Sequence, residues 1–403
     1  MSRTRDVIVV GAGPAGLVAG VLLARSGADV TVLEADDQFP TEGRASTFHP
    51  PTLEMLNELG AADPLIELGL RAPTFQYRRR ADESLIAEFD LGLLAAETPY
   101  PYRLQCEQSL LTPILAEELA RAGGELRFGA RVSGVISQRE DRATVEVDGT
   151  PGEREQLDAR WVIGADGSHS VVRRDLGITF DGRTVPELFL VISTIEDLRA
   201  RIPGLSYVNY VVDPVRWYVL LRTQAVWRVL VPLRDGEQAT GDSELAEVAR
   251  RQLDEIGEWG AGLPFIGQGV NRVHTRVAHR FAQDRCLIIG DAAHLNNPLG
   301  GMGMNAAIHD AYFLARTLRD VLGERADAER LTDLLASRRD MFIQHVQHLS
   351  EGNWERLREP DPVKREANAQ QLRATAEDED SAREYLRRSS LLAATREAGL
   401  AAP

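Results

Sequence analysis

Cysteine is almost absent from this chain. Cys106 and Cys286 are the only two among 403 residues, and they stand far apart. A disulfide framework, a CxxC redox pair and a cysteine-rich zinc site are thereby excluded. Lysine is scarcer still, with Lys364 alone against 45 arginines. Long apolar runs are missing as well. Gly11, Gly13, Pro14 and Gly16 interrupt the first one, and Arg25 and Asp29 interrupt the next, so no window reaches the roughly 20 apolar residues of a membrane span. For the same reason the amino-terminal stretch, where Arg3 and Arg5 precede apolar residues, does not read as a signal peptide. Nor is there an excess of positive charge: 46 basic against 61 acidic side chains leave a net charge of −15. Such a chain is a poor ligand for nucleic acid or anionic membrane. The expectation is a soluble, cytoplasmic protein, monomeric or homodimeric, with no metal centre.

Apolar residues make up 43% of the chain and charged residues 27%, enough to bury a sizeable core. At about 150 residues per domain, two or three domains or interleaved lobes are expected. Asp6–Val10 reads as a buried strand, Leu17–Arg25 as a helix stopped by Gly27, and Val30–Leu33 as the next strand. Between the first strand and the helix lies Gly11-Ala-Gly-Pro-Ala15-Gly16, a GxGxxG in the strand-to-helix context that the motif requires. Gly11 permits a tight turn, Gly13 lets a pyrophosphate approach backbone amides, and Gly16 lets helix and strand pack closely. The helix N-terminus then faces the phosphates with unpaired donors. Glu34 ends the second strand at the offset of an acid that binds a ribose 2′-hydroxyl. An acid there disfavours a 2′-phosphate, so the bound dinucleotide is NAD- or FAD-like.

Further along, Thr74–Leu91 reads as a hairpin, Ser109–Arg121 as a helix, and Arg127–Val147 as short strands before the buried strand Trp161–Gly164. Tyr207–Val212, Trp217–Leu221 and Trp227–Leu233 suggest an antiparallel sheet, with Arg78, Arg79 and Arg80 as a solvated hairpin face. Cys286–Ile289 returns to the buried-strand pattern, and helical periodicity runs over Met304–Leu322 and Leu331–Leu349. The last 40 residues read as charged helices packed on the outside.

Two later segments choose between the dinucleotides. Gly164-Ala-Asp166-Gly-Ser-His-Ser170 closely resembles the DG fingerprint of flavoprotein hydroxylases. Gly290-Asp291-Ala-Ala-His294, with Pro298 and Gly300-Gly301-Met-Gly303-Met304-Asn305, resembles their GD fingerprint. Arg44-Ala-Ser46 and Arg103-Leu-Gln105 are similar to their flavin-contacting arginine and glutamine segments. Together these motifs resemble the single-component, FAD-dependent aromatic hydroxylases of the para-hydroxybenzoate hydroxylase type, from residue 6 to about residue 320. The resemblance implies an α/β fold in which a Rossmann-type βαβ domain is interleaved with a β-rich substrate domain and followed by a helical C-terminus. The boundaries it implies are 1–72, 98–180 and 270–325 for the FAD-binding domain, 73–97 and 181–269 for the substrate domain, and 326–403 for the helices. Gly11, Gly13, Ala15, Gly16, Glu34, Arg44, Gln105, Asp166, Asp291, Pro298, Gly300, Gly301, Gly303, Met304 and Asn305 become the expected cofactor contacts. Asp291 can accept from a ribityl hydroxyl. The amides of the glycine loop can stabilise negative charge at flavin N1 and O2.

In the β-rich block, Arg228 of Trp227-Arg-Val-Leu-Val-Pro232 lines up with an arginine that meets the flavin in para-hydroxybenzoate hydroxylase. Arg222, six residues earlier, falls where that enzyme holds a substrate carboxylate and has the planar donors for a bidentate grip. Tyr210, or failing that Tyr207, falls near the tyrosine that activates the phenol. His294 has no HxH or HExxH companion and reads as structural.

The activity implied is monooxygenation of an aromatic, phenolic and possibly carboxylated substrate. FAD would be held tightly but non-covalently, NADH or NADPH would bind transiently, and O₂ would react through a flavin C4a-hydroperoxide. A second dinucleotide fingerprint, as in two-Rossmann reductases, is not seen. A halogenase is disfavoured, since the catalytic lysine and WxWxIP segment are missing. An oxidase or reductase of the same fold would differ in incorporating no oxygen. A non-enzymatic FAD-binding protein would show no substrate-stimulated nicotinamide oxidation.

Overall fold

The computed structural model describes residues 4–41, 45–148, 154–233 and 241–399. Strand Arg5–Val10 lies at the centre of a sheet ordered Ala282–Gln283, Cys286–Ile288, Arg154–Gly164, Arg5–Val10, Val30–Leu33, Glu125–Arg127. Its neighbours on both sides run parallel to it, with Val9 opposite Ile163 and Val32. Parallel strands need covering on both faces, which explains why Val7–Val10 and Val30–Leu33 are buried and almost wholly apolar. The core here is dominated by helix Pro14–Arg25 packed on helix Gly303–Leu322. The outer half of Arg154–Gly164 leaves the parallel core and pairs antiparallel with Ala143–Asp148, which in turn pairs with Val132–Gln138.

Parallel alignment brings the carboxyl ends of strands far apart in sequence to one edge. Gly11 N–H donates to Leu33 O at 2.7 Å, Ala165 N–H to Val10 O at 2.8 Å and Ile289 N–H to Gly164 O at 3.0 Å. The loops beginning at Gly11, Glu34, Ala165 and Gly290 therefore open on the same side, where ligands of open α/β sheets bind.

The second sheet has eight strands: His294–Leu295, Gly267–Ala278, Phe180–Thr194, Trp227–Pro232, Tyr218–Arg222, Val208–Val212, Thr74–Arg79 and Leu85–Asp90. The expectation of an antiparallel sheet holds for most pairings, but Val208–Val212 and Thr74–Arg79 run parallel. Both faces are covered, and side chains alternate between them. One face packs Tyr218, Leu220, Trp227 and Val229 against helix Asp242–Ile256, an amphipathic helix inside the β-rich block that the sequence reading passed over. The other packs Tyr77, Tyr210, Val219 and Leu230 with Leu357, Leu372, Leu386 and Leu392 of the C-terminal helices. Those helices are thus part of a core and not an outer layer. Arg78 corrects another reading. It is buried, and donates to Gln76 Oε1 and to the carbonyls of Glu83, Pro203 and Gly204.

A third sheet has three strands, Thr47–Phe48, Arg103–Gln105 and Leu70–Ala72. Among the described residues, no helix is long and apolar enough to cross a membrane.

Candidate cofactor and active site

The turn after the first strand is held by close backbone contact. A Cβ on Gly16 would stand 2.0 Å from Gly11 O, so only glycine lets the helix start against the strand end. At Gly13, by contrast, an added Cβ would meet nothing within 4 Å. The space before it is open, and Pro14 at the first helical position leaves the amides of Ala15 and Gly16 as first-turn donors beside it. Glu34 lies at the rim of this space. Its Oε2 accepts from Ala12 N–H at 2.7 Å and its Oε1 from Asp36 N–H at 3.2 Å.

The other expected cofactor residues gather along the same edge. Asp291 is exposed in the turn Gly290–Ala292. Gln105 is fully buried; its Oε1 accepts from Thr47 Oγ1 at 3.1 Å, whereas its Nε2 has no partner. Asp166 caps the short helix Val171–Asp175 by accepting from Val171 N–H at 2.7 Å, and its second oxygen is buried without a partner. Burial raises its pKa. Arg44 lies outside the described residues.

Pro298 is exposed at the start of the glycine loop. Gly300 has φ +97°, which a residue with a Cβ adopts only under strain. The expectation that the loop glycines all present free amides needs correcting. Gly301 N–H turns back onto Pro298 O at 3.0 Å, and the Gly300 amide lies against the Tyr210 hydroxyl. The first-turn donors of helix Gly303–Leu322 are the amides of Gly303, Met304 and Asn305. The side chain of Asn305 acts as a clamp, which leaves its backbone amide, in the first helical turn, as the group it could offer a cofactor. Its Oδ1 accepts from His49 N–H and Thr52 Oγ1, and its Nδ2 donates to Thr47 O and Gly301 O, all at 2.6–2.9 Å. No side-chain capacity is left for a cofactor.

Two helix N-termini, a placed acid, open space at Gly13 and the orphaned polar atoms of Gln105 and Asp166 together fit a flavin dinucleotide. Gly13, Ala15, Gly16 and Glu34 would hold its adenosine and pyrophosphate part. Asp291, Gln105 and the loop at Gly300 would hold the ribityl and flavin part.

The second sheet faces this edge with a set of aromatic rings. Tyr210 pairs with Val219, which pairs with Leu230, so all three share a face. Two residues further along the same strands, that face carries Leu221 opposite Arg228. Arg228 donates to Glu107 Oε2 at 2.8 Å, tying this sheet to the loop beyond Gln105. Arg222 does not join them. It pairs with Trp227 and shares the parity of Tyr218 and Leu220, so its side chain leaves from the opposite face. Six residues back from Arg228 across the turn therefore falls on the face away from Tyr210, and a shift of one residue exchanges the faces of a strand. Tyr207 has the opposite parity to Tyr210, and its hydroxyl accepts from Arg199 Nη1 at 3.0 Å.

Tyr210 stacks on Tyr77 at 5.2 Å, Phe75 on Phe89 at 5.3 Å, and Phe89 on Tyr385 at 4.4 Å. Tyr77 OH meets Asn353 Oδ1 at 3.2 Å and Tyr385 OH at 3.0 Å, and Arg356 Nη1 donates to the same Asn353 oxygen at 3.1 Å. At the other end Arg103 Nη1 reaches Tyr210 OH at 3.4 Å, and its guanidinium lies 4.0 Å from the Phe75 ring. Burial raises the pKa of Tyr210, with Arg103 opposing. Burial first and then Arg103 lower the pKa of His49 to about 3, so it is neutral at ordinary pH. Asn353, Arg356, Tyr385 and His49 were missed in the sequence. The spacing of Ala382, Tyr385, Leu386 and Ser389 on one helical face was a signal that Tyr385 points inward.

His294 is structural, as expected. Its Nε2 meets Asp310 Oδ2 at 2.6 Å, while Arg338 Nε donates to Asp310 Oδ1 at 2.8 Å, all within the core. Burial alone would raise Asp310, but Arg338 and His294 hold it below the ordinary value.

Known proteins are similar to this chain in sequence and fold. The family model described as FAD binding domain matches residues 4–349. Para-nitrophenol 4-monooxygenase of Pseudomonas sp. (strain WBC-3) is 32% identical over 395 residues, 96% of this chain and 95% of that protein. 6-Hydroxy-3-succinoylpyridine 3-monooxygenase of Pseudomonas putida (strain DSM 28022 / S16) is 31% identical over 398 residues, 96% and 98% of the two chains. The crystal structure of p-nitrophenol 4-monooxygenase from Pseudomonas putida DLL-E4 superposes with a TM-score of 0.88 at 31% identity, covering 96% of this chain and 97% of that one.

Proposed function

Because this chain belongs to the FAD binding domain family and is a flavin-dependent aromatic monooxygenase, we propose that it hydroxylates a small para-substituted phenol, of the 4-nitrophenol kind, that carries no carboxylate. The observation that carries this reading is the Leu221–Arg228 pair. Leucine stands on the site face where a carboxylated substrate would need a bidentate guanidinium, and Arg222 points away.

The bound FAD supplies the redox chemistry, passing electrons from NADH or NADPH to O₂ so that one oxygen atom enters the ring and the other leaves as water. The residues of the chain do the rest. Tyr210 meets the phenolic oxygen and favours its electron-rich form. The rings of Phe75, Tyr77, Phe89 and Tyr385 hold the substrate ring. The helices carrying Asn353 and Tyr385 close the site over, which keeps bulk water from the reactive oxygen. The reading assigns 1–72, 98–180 and 270–325 to cofactor binding, 73–97 and 181–269 to substrate binding and 326–403 to closure, in a cytoplasmic monomer or homodimer.

The test is a panel of 4-nitrophenol, 4-cyanophenol and 4-hydroxybenzoate given to the FAD-loaded enzyme, scored by nicotinamide consumption, peroxide release and oxygen gain by mass spectrometry. Coupled turnover of the first two, with 4-hydroxybenzoate at least about tenfold poorer in kcat/KM, is expected. Preference for 4-hydroxybenzoate would overturn the reading.

A further inference from the structure

Arg103 is 2% exposed, and its Nε is buried without a partner. Among the described residues its one side-chain bond is the 3.4 Å contact with Tyr210 OH. Among the described residues no carboxylate forms an ion pair with it. The titratable groups that face it are His49, at the start of helix Pro50–Glu58, and Tyr77 and Tyr210 from the second sheet. Beyond Tyr77 stand Tyr385 and Arg356, from helices Glu379–Ser389 and His348–Leu357. None of these is an anion at neutral pH, since His49 is neutral and both buried tyrosines are raised. A guanidinium cannot shed its proton, and a buried charge without a counter-charge is costly. The sheet contact places it against the aromatic rings and Tyr210, where the substrate ring is read to bind.

Resting on the phenol reading, we propose that Arg103 is the counter-ion of the substrate, receiving its ionised hydroxyl together with Tyr210, so that the enzyme selects phenols as phenolates. The missing anion is then supplied by the ligand. Acidic phenols, whose para-substituent withdraws electrons, bind best for this reason. Tyr210 need only donate to the oxygen and does not have to take up its proton.

Binding to the FAD-loaded enzyme tests this without turnover, because 4-nitrophenol and its anion absorb differently. In the wild type the apparent pKa of bound 4-nitrophenol should lie at least about one unit below its free value, a tenfold preference for the anion. Arg103→Gln should abolish that shift and raise Kd for the anion at least about tenfold, while the Kd of 4-nitroanisole, which cannot ionise, changes less than about twofold. Arg103→Lys should recover part of the shift, because it restores the charge without the fork. An unchanged shift in Arg103→Gln overturns the proposal. So does loss of FAD from both variants, which would assign Arg103 to the cofactor and leave the phenol reading standing. A wild type that binds 4-nitroanisole as tightly as the anion also overturns it alone. A wild type that takes up no phenol sinks both.

Discussion

Leu221 faces Arg228 across the hairpin, on the side of the sheet that carries Tyr210, and Arg222 beside it faces away. Residue parity at the hairpin therefore selects the chemistry at the substrate's far end. Leu221→Arg should lower KM for 4-hydroxybenzoate and raise that for 4-nitrophenol, each by about tenfold. Arg222→Ala should leave both within about twofold. Steady-state kinetics on the two substrates check it, and a large effect of Arg222→Ala on KM with FAD retained would contradict the assigned faces.

Tyr210 has its hydroxyl between Arg103 and the Gly300 amide. Tyr210→Phe removes the donor and keeps the ring that stacks on Tyr77. The rate of hydroxylation should fall by about 10²-fold while FAD stays bound, and consumed nicotinamide should appear as peroxide. The ratio of product to nicotinamide oxidised is the measurement.

His49 is a base whose folded value is depressed to about 3. Below its ordinary 6.5 the unfolded chain takes up a proton and the folded chain does not, so stability is lost as pH falls through that window. Between pH 6.5 and 5 the loss from this residue is about 2 kcal/mol. His49→Gln, whose amide can still donate to Gly300 O, should flatten the acid limb of denaturant-measured stability by about that amount. An unaltered limb would remove His49 as its cause.

Asp310 joins His294, next to the cofactor turn, to Arg338 of a later helix. Asp310→Asn leaves Arg338 buried without its counter-charge and should cost about 3 kcal/mol, read from denaturant midpoints. Because the folded carboxyl lies below its ordinary 3.8, its contribution is present above that pH and is lost on acidification through the lower folded value. The difference between wild type and Asp310→Asn should therefore shrink below about pH 4.

Much of the cofactor half could be read along the chain. Gly11, Gly13, Gly16 and Glu34 work through a local strand–turn–helix geometry, and local geometry leaves a local pattern. Asp166 and Asp291 follow buried strands that were recognisable one at a time. Their meeting at one edge was implied by the resemblance and is made by the parallel registers of Val10, Gly164 and Ile288. The substrate half was read less well. Arg78 looked solvated and is buried. Asn353, Arg356 and Tyr385 sat unnoticed in charged helices, because their partners lie more than 250 residues away in sequence, on the strand that carries Tyr77.

The amino-acid order was enough for the nucleotide-binding elements and, through the family its fingerprints resemble, for the choice of flavin and the class of reaction, since those rest on short motifs whose meaning survives without knowing their neighbours. Which arginine looks at the substrate was beyond its reach. Strand faces alternate with every residue, and only the pairing of Leu221 with Arg228 and of Arg222 with Trp227, made between strands across a turn, says which side each one takes.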